Sequence, residues 1–113
     1  MRKLLILIDD EKEIDADVTL RTVEKARAFI QFFGHVITHL MIDHDLGHDH
    51  DNGYKILTWM LEEEKVFPPI IELVTYNPVG RKNMIQALIK NGYKQVGVNI
   101  FKYGIVYPRS DTA

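Results

Sequence analysis

The sequence contains no cysteine, which excludes disulfides, thiolate nucleophiles and thiolate metal sites together. No apolar run approaches the length of a membrane span; the one from Leu4 to Ile8 stops at Asp9-Asp10. Charge of one sign is also missing. Fourteen basic against 16 acidic residues give a net -2, so no global basic field draws nucleic acid or an anionic membrane, and both partner classes are set aside. Repeats, linker-like stretches and low-complexity segments are absent, and 113 residues with 46% apolar content are read as one domain, residues 1–113. Arg2-Lys3 ahead of an apolar run has the look of a signal peptide, but the run is short and ends in acid, so a cytoplasmic location is expected.

What is present is a set of three polar clusters, each following an apolar run. Leu4-Leu5-Ile6-Leu7-Ile8 leads into Asp9-Asp10-Glu11; His39-Leu40-Met41-Ile42 into Asp43-His44-Asp45; Ile70-Ile71-Glu72-Leu73-Val74 into Thr75-Tyr76-Asn77-Pro78. Runs of this kind suit strands covered on both faces. In an open α/β sheet, ligands bind outside the carboxyl ends of the strands where strand order reverses, so the three clusters are expected to meet.

Helical spacing fills the intervals. Val23, Ala26, Ile30 and Phe33 recur at helical period, with Thr22 as N-cap and Gly34 just past the end. Tyr54, Leu57, Met60 and Leu61 form a second apolar stripe after Asn52-Gly53, ended by Phe67-Pro68-Pro69. Asn77-Pro78 opens a third helix, with Met84, Ile85, Leu88 and Ile89 as its stripe and Gly92 closing it. Val18-Thr19-Leu20 reads as a short strand, residues 36–43 and 70–75 as longer ones, and Val96 to Phe101 as the last. Strands alternating with helices give a parallel sheet. The fold class is therefore α/β, a flavodoxin-type sheet with a reduced helix complement.

These residues resemble a known family. Leu5 to Glu11 looks like the first strand and acidic pair of the receiver domains of two-component signalling; Asp45-Leu46 with Gly53 is similar to their phospho-acceptor strand end; Val74-Thr75 resembles the strand with the receiver hydroxyl, and Lys102 is a candidate for the receiver lysine. Asp43-His44-Asp45-Leu46-Gly47, Gly53-Tyr54 and Asn77-Pro78-Val79-Gly80, with Met84 following, resemble more closely the receiver-like family that processes cyclic phosphates. Where that family usually carries a histidine and a serine just before Asn-Pro, this chain has Val74 and Thr75.

The resemblance implies a cation site, and the chemistry agrees. Asp9, Asp10 and Asp45, brought close, repel one another until one is protonated or a cation binds. Hard oxygen ligands favour Mg²⁺, which keeps waters and bridges to phosphate. Asn77, Gly80 and Arg81, at the start of a helix, are the candidate phosphate ligands, because unpaired N–H groups and the positive dipole end attract anions. His44 is either a packed core histidine or, if the chain turns at Asp43, the acid or base of a hydrolysis, with Asp45 and Thr75 as the other candidate catalytic residues. The set His44, His48 and His50 has no recognised zinc spacing. His35 and His39 read as structural, and Trp59 and Phe32-Phe33 as packing.

Three functions remain open. The favoured one is Mg²⁺-dependent binding or hydrolysis of a cyclic phosphate or phosphoester small molecule. The second is a signalling receiver with Asp45 as phospho-acceptor, Thr75 sensing the phosphoryl group and Lys102 pairing with it. The third is a non-catalytic module for a ligand or partner. One face of the sheet is short of helices, since the interval from Glu11 to Gly34 holds one helix and only 11 residues follow Lys102. Either residues 11–20 and the Ile105-Val106-Tyr107 tail cover it, or a second copy does, as a homodimer.

Overall fold

A computed structural model of the protein describes residues 2–47 and 52–104. The apolar runs become the strands β1 (Leu5–Ile8), β2 (Val18–Leu20), β3 (His39–Ile42), β4 (Ile70–Leu73), β5 (Tyr93–Gln95) and β6 (Ile100–Tyr103). They form one sheet in the order β2-β1-β3-β4-β6-β5. β1 to β4 are mutually parallel, with Leu5, His39 and Ile70 in one row and Ile8, Ile42 and Leu73 in another. β1 lies between β2 and β3, so strand order reverses there and the carboxyl ends of β1 and β3 flank the crevice.

The far edge departs from the sequence reading. The single last strand expected over Val96–Phe101 is a hairpin: β6 runs antiparallel to both β4 and β5. The stretch from Val96 to Asn99 is too short for a parallel crossover and turns back instead, with the Val96 N–H donating to Ile100 O at 2.9 Å and Gln95 Nε2 to Val98 O at 3.1 Å. The sheet is thus mostly parallel with an antiparallel edge.

Three helices connect the strands. In α1 (Val23–Phe33) the Thr22 hydroxyl caps the Lys25 N–H, and Val23, Ala26 and Ile30 are buried. The chain passes from α1 into a 3-10 turn at Gly34–Val36, so β3 begins at His39. In α2 (Gly53–Thr58) Asn52 caps Lys55, and the helix continues as a π turn over Trp59–Glu63. In α3 (Pro78–Lys90) Asn77 caps Gly80; Met84, Ala87 and Leu88 are buried, whereas Ile89, expected in the stripe, is half-exposed.

α1 packs on α2 and α2 on α3, which puts all three on one face, as right-handed crossovers through this strand order require. The core lies between them and Ile6, Ile8, Leu40, Ile42, Ile71, Leu73 and Phe101 of the sheet. On the other face, residues 9–17 connect β1 to β2 without a helix. That connection alternates, with Lys12, Ile14 and Ala16 half-buried between exposed Glu11, Glu13, Asp15 and Asp17. It is pinned at its end, where the Leu5 N–H donates to Asp17 Oδ2 at 2.7 Å and the Asp17 N–H to Leu5 O at 2.8 Å. Leu7 and Met41, paired across the sheet and outside the main core, are buried within the one chain. The Ile105-Val106-Tyr107 tail and the His48 to Asp51 stretch lie outside the described residues. Among the described residues, no helix is long and apolar enough to cross a membrane.

Candidate functional site

Asp9, the first residue beyond β1, is fully buried. Its Oδ1 accepts the N–H groups of Glu11 and Lys12, each at 2.9 Å, while its Oδ2 accepts no hydrogen bond and is itself buried. The nearest cation is the Lys12 ammonium, an ion pair at 3.2 Å that lies equally 3.2 Å from Asp43 Oδ2. Burial alone would raise the Asp9 carboxyl, but the two backbone N–H groups and the Lys12 cation outweigh it and hold it below the ordinary range. Burial works against the Lys12 ammonium too, and its bonds to Asp9 and Asp43 overcome this and raise it. Arg21 steadies the turn from beneath, with Nη1 donating to Lys12 O at 2.7 Å and to Asp9 O at 3.3 Å and Nη2 pairing with Glu13 at 3.0 Å.

Ligand atoms of Asp9, Asp10 and Asp43 all lie within 4.8 Å of one another. The sequence reading named Asp45 as the third carboxylate; the structure places Asp43 there, because Asp43 follows Ile42, and Ile42 is the register partner of Ile8. Asp45 is two residues further on and stands outside the set. A cluster of acids can be a solvated surface, but Asp9 and Asp43 are buried, and the buried Asp9 Oδ2, which no N–H or O–H group approaches with hydrogen-bond geometry, is matched by the Lys12 cation, so the set is built to hold positive charge. Three carboxylates at this spacing fit a hard divalent cation such as Mg²⁺. Gly47, in the left-handed region at φ 67°, lets the chain pass over Asp10, since a Cβ there would stand 3.1 Å from Asp10 Oδ2.

β3 ends at Ile42, so the chain turns at Asp43 and His44 does not follow the strand alternation. Asp43 Oδ1 accepts the His44 N–H at 2.8 Å. The His44 ring, largely buried, lies against the first turn of α3, where a Cβ on Gly80 would come within 2.4 Å of it. His44 Nδ1 is 3.0 Å from Asp45 Oδ1, and Asn77 Nδ2 reaches the same oxygen at 3.4 Å. The His44 bond, helped by that of Asn77, keeps the exposed Asp45 carboxyl below its ordinary range against the opposing effect of burial. His44, Asp45 and Asn77 thus form one polar group beside the carboxylate set.

The expected phosphate ligands are placed differently. The Gly80 N–H donates to Asn77 Oδ1 at 2.9 Å, and the Asn77 N–H to Thr75 Oγ1 at 3.0 Å. Arg81 Nε donates to Asn99 Oδ1 at 2.8 Å and its Nη2 to Val98 O, which ties α3 to the β5–β6 turn. Arg81 nevertheless lines, with Lys12, Thr75, Tyr76 and Val98, an open cleft of about 410 Å³. Lys12 Nζ stands 4.7 Å from the centroid of the exposed Tyr76 ring. Lys102 is not at this end: it pairs with Ile70 at the amino end of β4, because β6 runs antiparallel. A larger cavity, about 870 Å³, opens elsewhere, between Leu4, His35 and Pro69, with none of the clustered carboxylates in its lining.

Sequence reasoning missed Lys12 and Arg21, which carry no motif and act only through the turn after β1. It also passed over Asp43 as a ligand, although its register with Asp9 was available from the paired apolar runs. Comparison with curated proteins and with solved structures returns no match. A family model, the cyclic-phosphate processing receiver domain, matches residues 4–90, a span that holds β1 to β4, all three helices and every residue of the site except Val98 and Asn99. The chain belongs to this receiver domain family.

Proposed function

We propose that the protein binds Mg²⁺ on Asp9, Asp10 and Asp43 and hydrolyses a cyclic phosphate or related phosphoester held in the adjoining cleft. The observation that supports the reading is the gathering of three carboxylates, two of them buried, around a position where the buried Asp9 Oδ2 is met by a lysine cation. A bound divalent cation would polarise the phosphoryl oxygens. The chain's own groups handle the proton. His44 Nδ1–H donates to Asp45, which fixes the ring and leaves Nε2 to accept a proton from the attacking water. Water oxygen bonds to phosphorus, one ring P–O bond breaks, and the proton held by His44 passes to the departing oxygen, giving a phosphomonoester. Asn77 orients Asp45, and the Arg81 and Lys12 cations beside the cleft offset charge gathering on the phosphoryl group.

The pairing of Asp45 with His44 and Asn77, away from the carboxylate set, favours this role for Asp45 over that of phospho-acceptor. The distance of Lys102 from the mouth points the same way. The test is phosphorus NMR of a panel of cyclic phosphates incubated with protein and Mg²⁺. Conversion of one of them to a monoester, lost in His44→Gln, is the expected result. A panel left unchanged while Mg²⁺ binds would make the protein a ligand-binding module. Gain of one phosphoryl mass at Asp45 from a small-molecule phosphodonor would make it a signalling receiver.

A further inference from the structure

Lys12 contributes two of the ion pairs at the carboxylate set, through Asp9 Oδ2 and Asp43 Oδ2, and both of these carboxylates belong to that set. Two cations held by the same pair of carboxylates repel each other strongly in a buried setting. The Lys12 side chain is about one-fifth exposed and reaches the set from an extended segment, not from a helix or a strand. On its open side the cleft with Thr75, Tyr76 and Arg81 begins, and the Tyr76 ring already faces the ammonium. We infer that Lys12 is a resident counter-ion of the carboxylate set, displaced by the divalent cation into the cleft, where its ammonium becomes a ligand for the substrate phosphate.

This rests on the cation site of the proposed function and adds an ordering to it. Without the divalent cation, the Lys12 ammonium neutralises part of the carboxylate charge and is held at the edge of the cleft that it lines. Once the cation takes over that charge, the ammonium is set free on a flexible four-carbon stem whose reach includes the Thr75 end of the cleft. Cation binding and phosphate binding therefore reinforce each other beyond direct contact between the two, because the first releases a ligand for the second.

The experiment compares wild type, Lys12→Met and Lys12→Arg by calorimetry, first with MgCl₂ alone and then with inorganic phosphate at saturating Mg²⁺. Methionine keeps the stem and removes the charge. Lys12→Met is expected to bind Mg²⁺ about tenfold more tightly than wild type and phosphate about tenfold more weakly, with Lys12→Arg near wild type in both. A measurement on the wild-type chain guards against a misfolded variant: after reductive methylation with ¹³C-formaldehyde, the Lys12 methyl resonance should move on addition of Mg²⁺. Equal Mg²⁺ affinity in wild type and Lys12→Met, or an unmoved Lys12 resonance in a protein that binds Mg²⁺, would overturn the counter-ion role and leave the cation site standing. Absence of Mg²⁺ binding in all three proteins would overturn the cation site itself, and the counter-ion role with it.

Discussion

Asp9 and Asp43 stand one step beyond a directly paired couple, Ile8 and Ile42, and the Asp43 N–H donates to Ile8 O at 3.0 Å. The two carboxylates are therefore held in register by the sheet and not by a loop. Asp43→Asn should weaken Mg²⁺ binding by about tenfold or more, while Asp45→Asn, outside the set, should change it little. Calorimetry on the pair of variants checks this, and the reverse order would return the third ligand to Asp45.

A second prediction concerns the glycine that opens α2. A Cβ on Gly53 would stand 1.7 Å from the carbonyl oxygen of Asp43, which is backbone and has no rotamer to yield. Gly53→Ala should cost about 3 kcal/mol or more, or prevent folding, and urea unfolding reads it directly.

Gly80 offers a contrast. The atoms that a Cβ would meet there belong to the His44 ring, not to backbone. Gly80→Ala should push that ring off its place against α3 for about 1 to 2 kcal/mol of stability. Its larger effect should be on turnover, so that thermal unfolding and phosphorus NMR separate the two roles.

Acid and base should act on the site from opposite sides. The Asp9 and Asp45 carboxyls are held below their ordinary 3.8 in the folded protein. The stability they contribute is fully present above that value and is lost as pH falls through the lowered folded values. Lys12 is raised above its ordinary 10.5, so its contribution is present below that value and is lost as pH rises through the raised folded one. Urea midpoints measured across the pH range should fall at both ends, and Lys12→Met should flatten the alkaline fall.

Tyr93, buried at the start of β5, donates its hydroxyl to Pro68 O at 2.7 Å, and burial pushes its ionisation far upward. Tyr93→Phe leaves that carbonyl without its partner and should cost about 1 to 2 kcal/mol in urea unfolding.

Much of this architecture was legible in the sequence. The runs ending at Ile8 and Ile42, the Thr22 and Asn77 caps, and Gly53 at a helix start each state their element through local chemistry. The polar group around His44 was half legible, since the turn at Asp43 could be posed as an alternative but not chosen. Three things were out of reach because they depend on pairing across the chain. Arg81 was read as a phosphate ligand in a first helical turn, and only the hairpin brings Asn99 and Val98 to it. Lys102 was read as ending a parallel strand, and reversal of β6 carries it to the opposite end. Lys12 lies in a segment with no helical or strand signature strong enough to aim its side chain.

The backbone bond from the Gly53 N–H to His44 O, at 2.7 Å, joins the two ends of the excursion that leaves β3 and enters α2. Asp43 and His44 are thereby held from two sides, by the β1–β3 register on one and by the first turn of α2 on the other. The acidic set and the histidine therefore depend on α2 staying docked, and a change that loosens α2 from the sheet is felt at the site even where it touches none of the site residues.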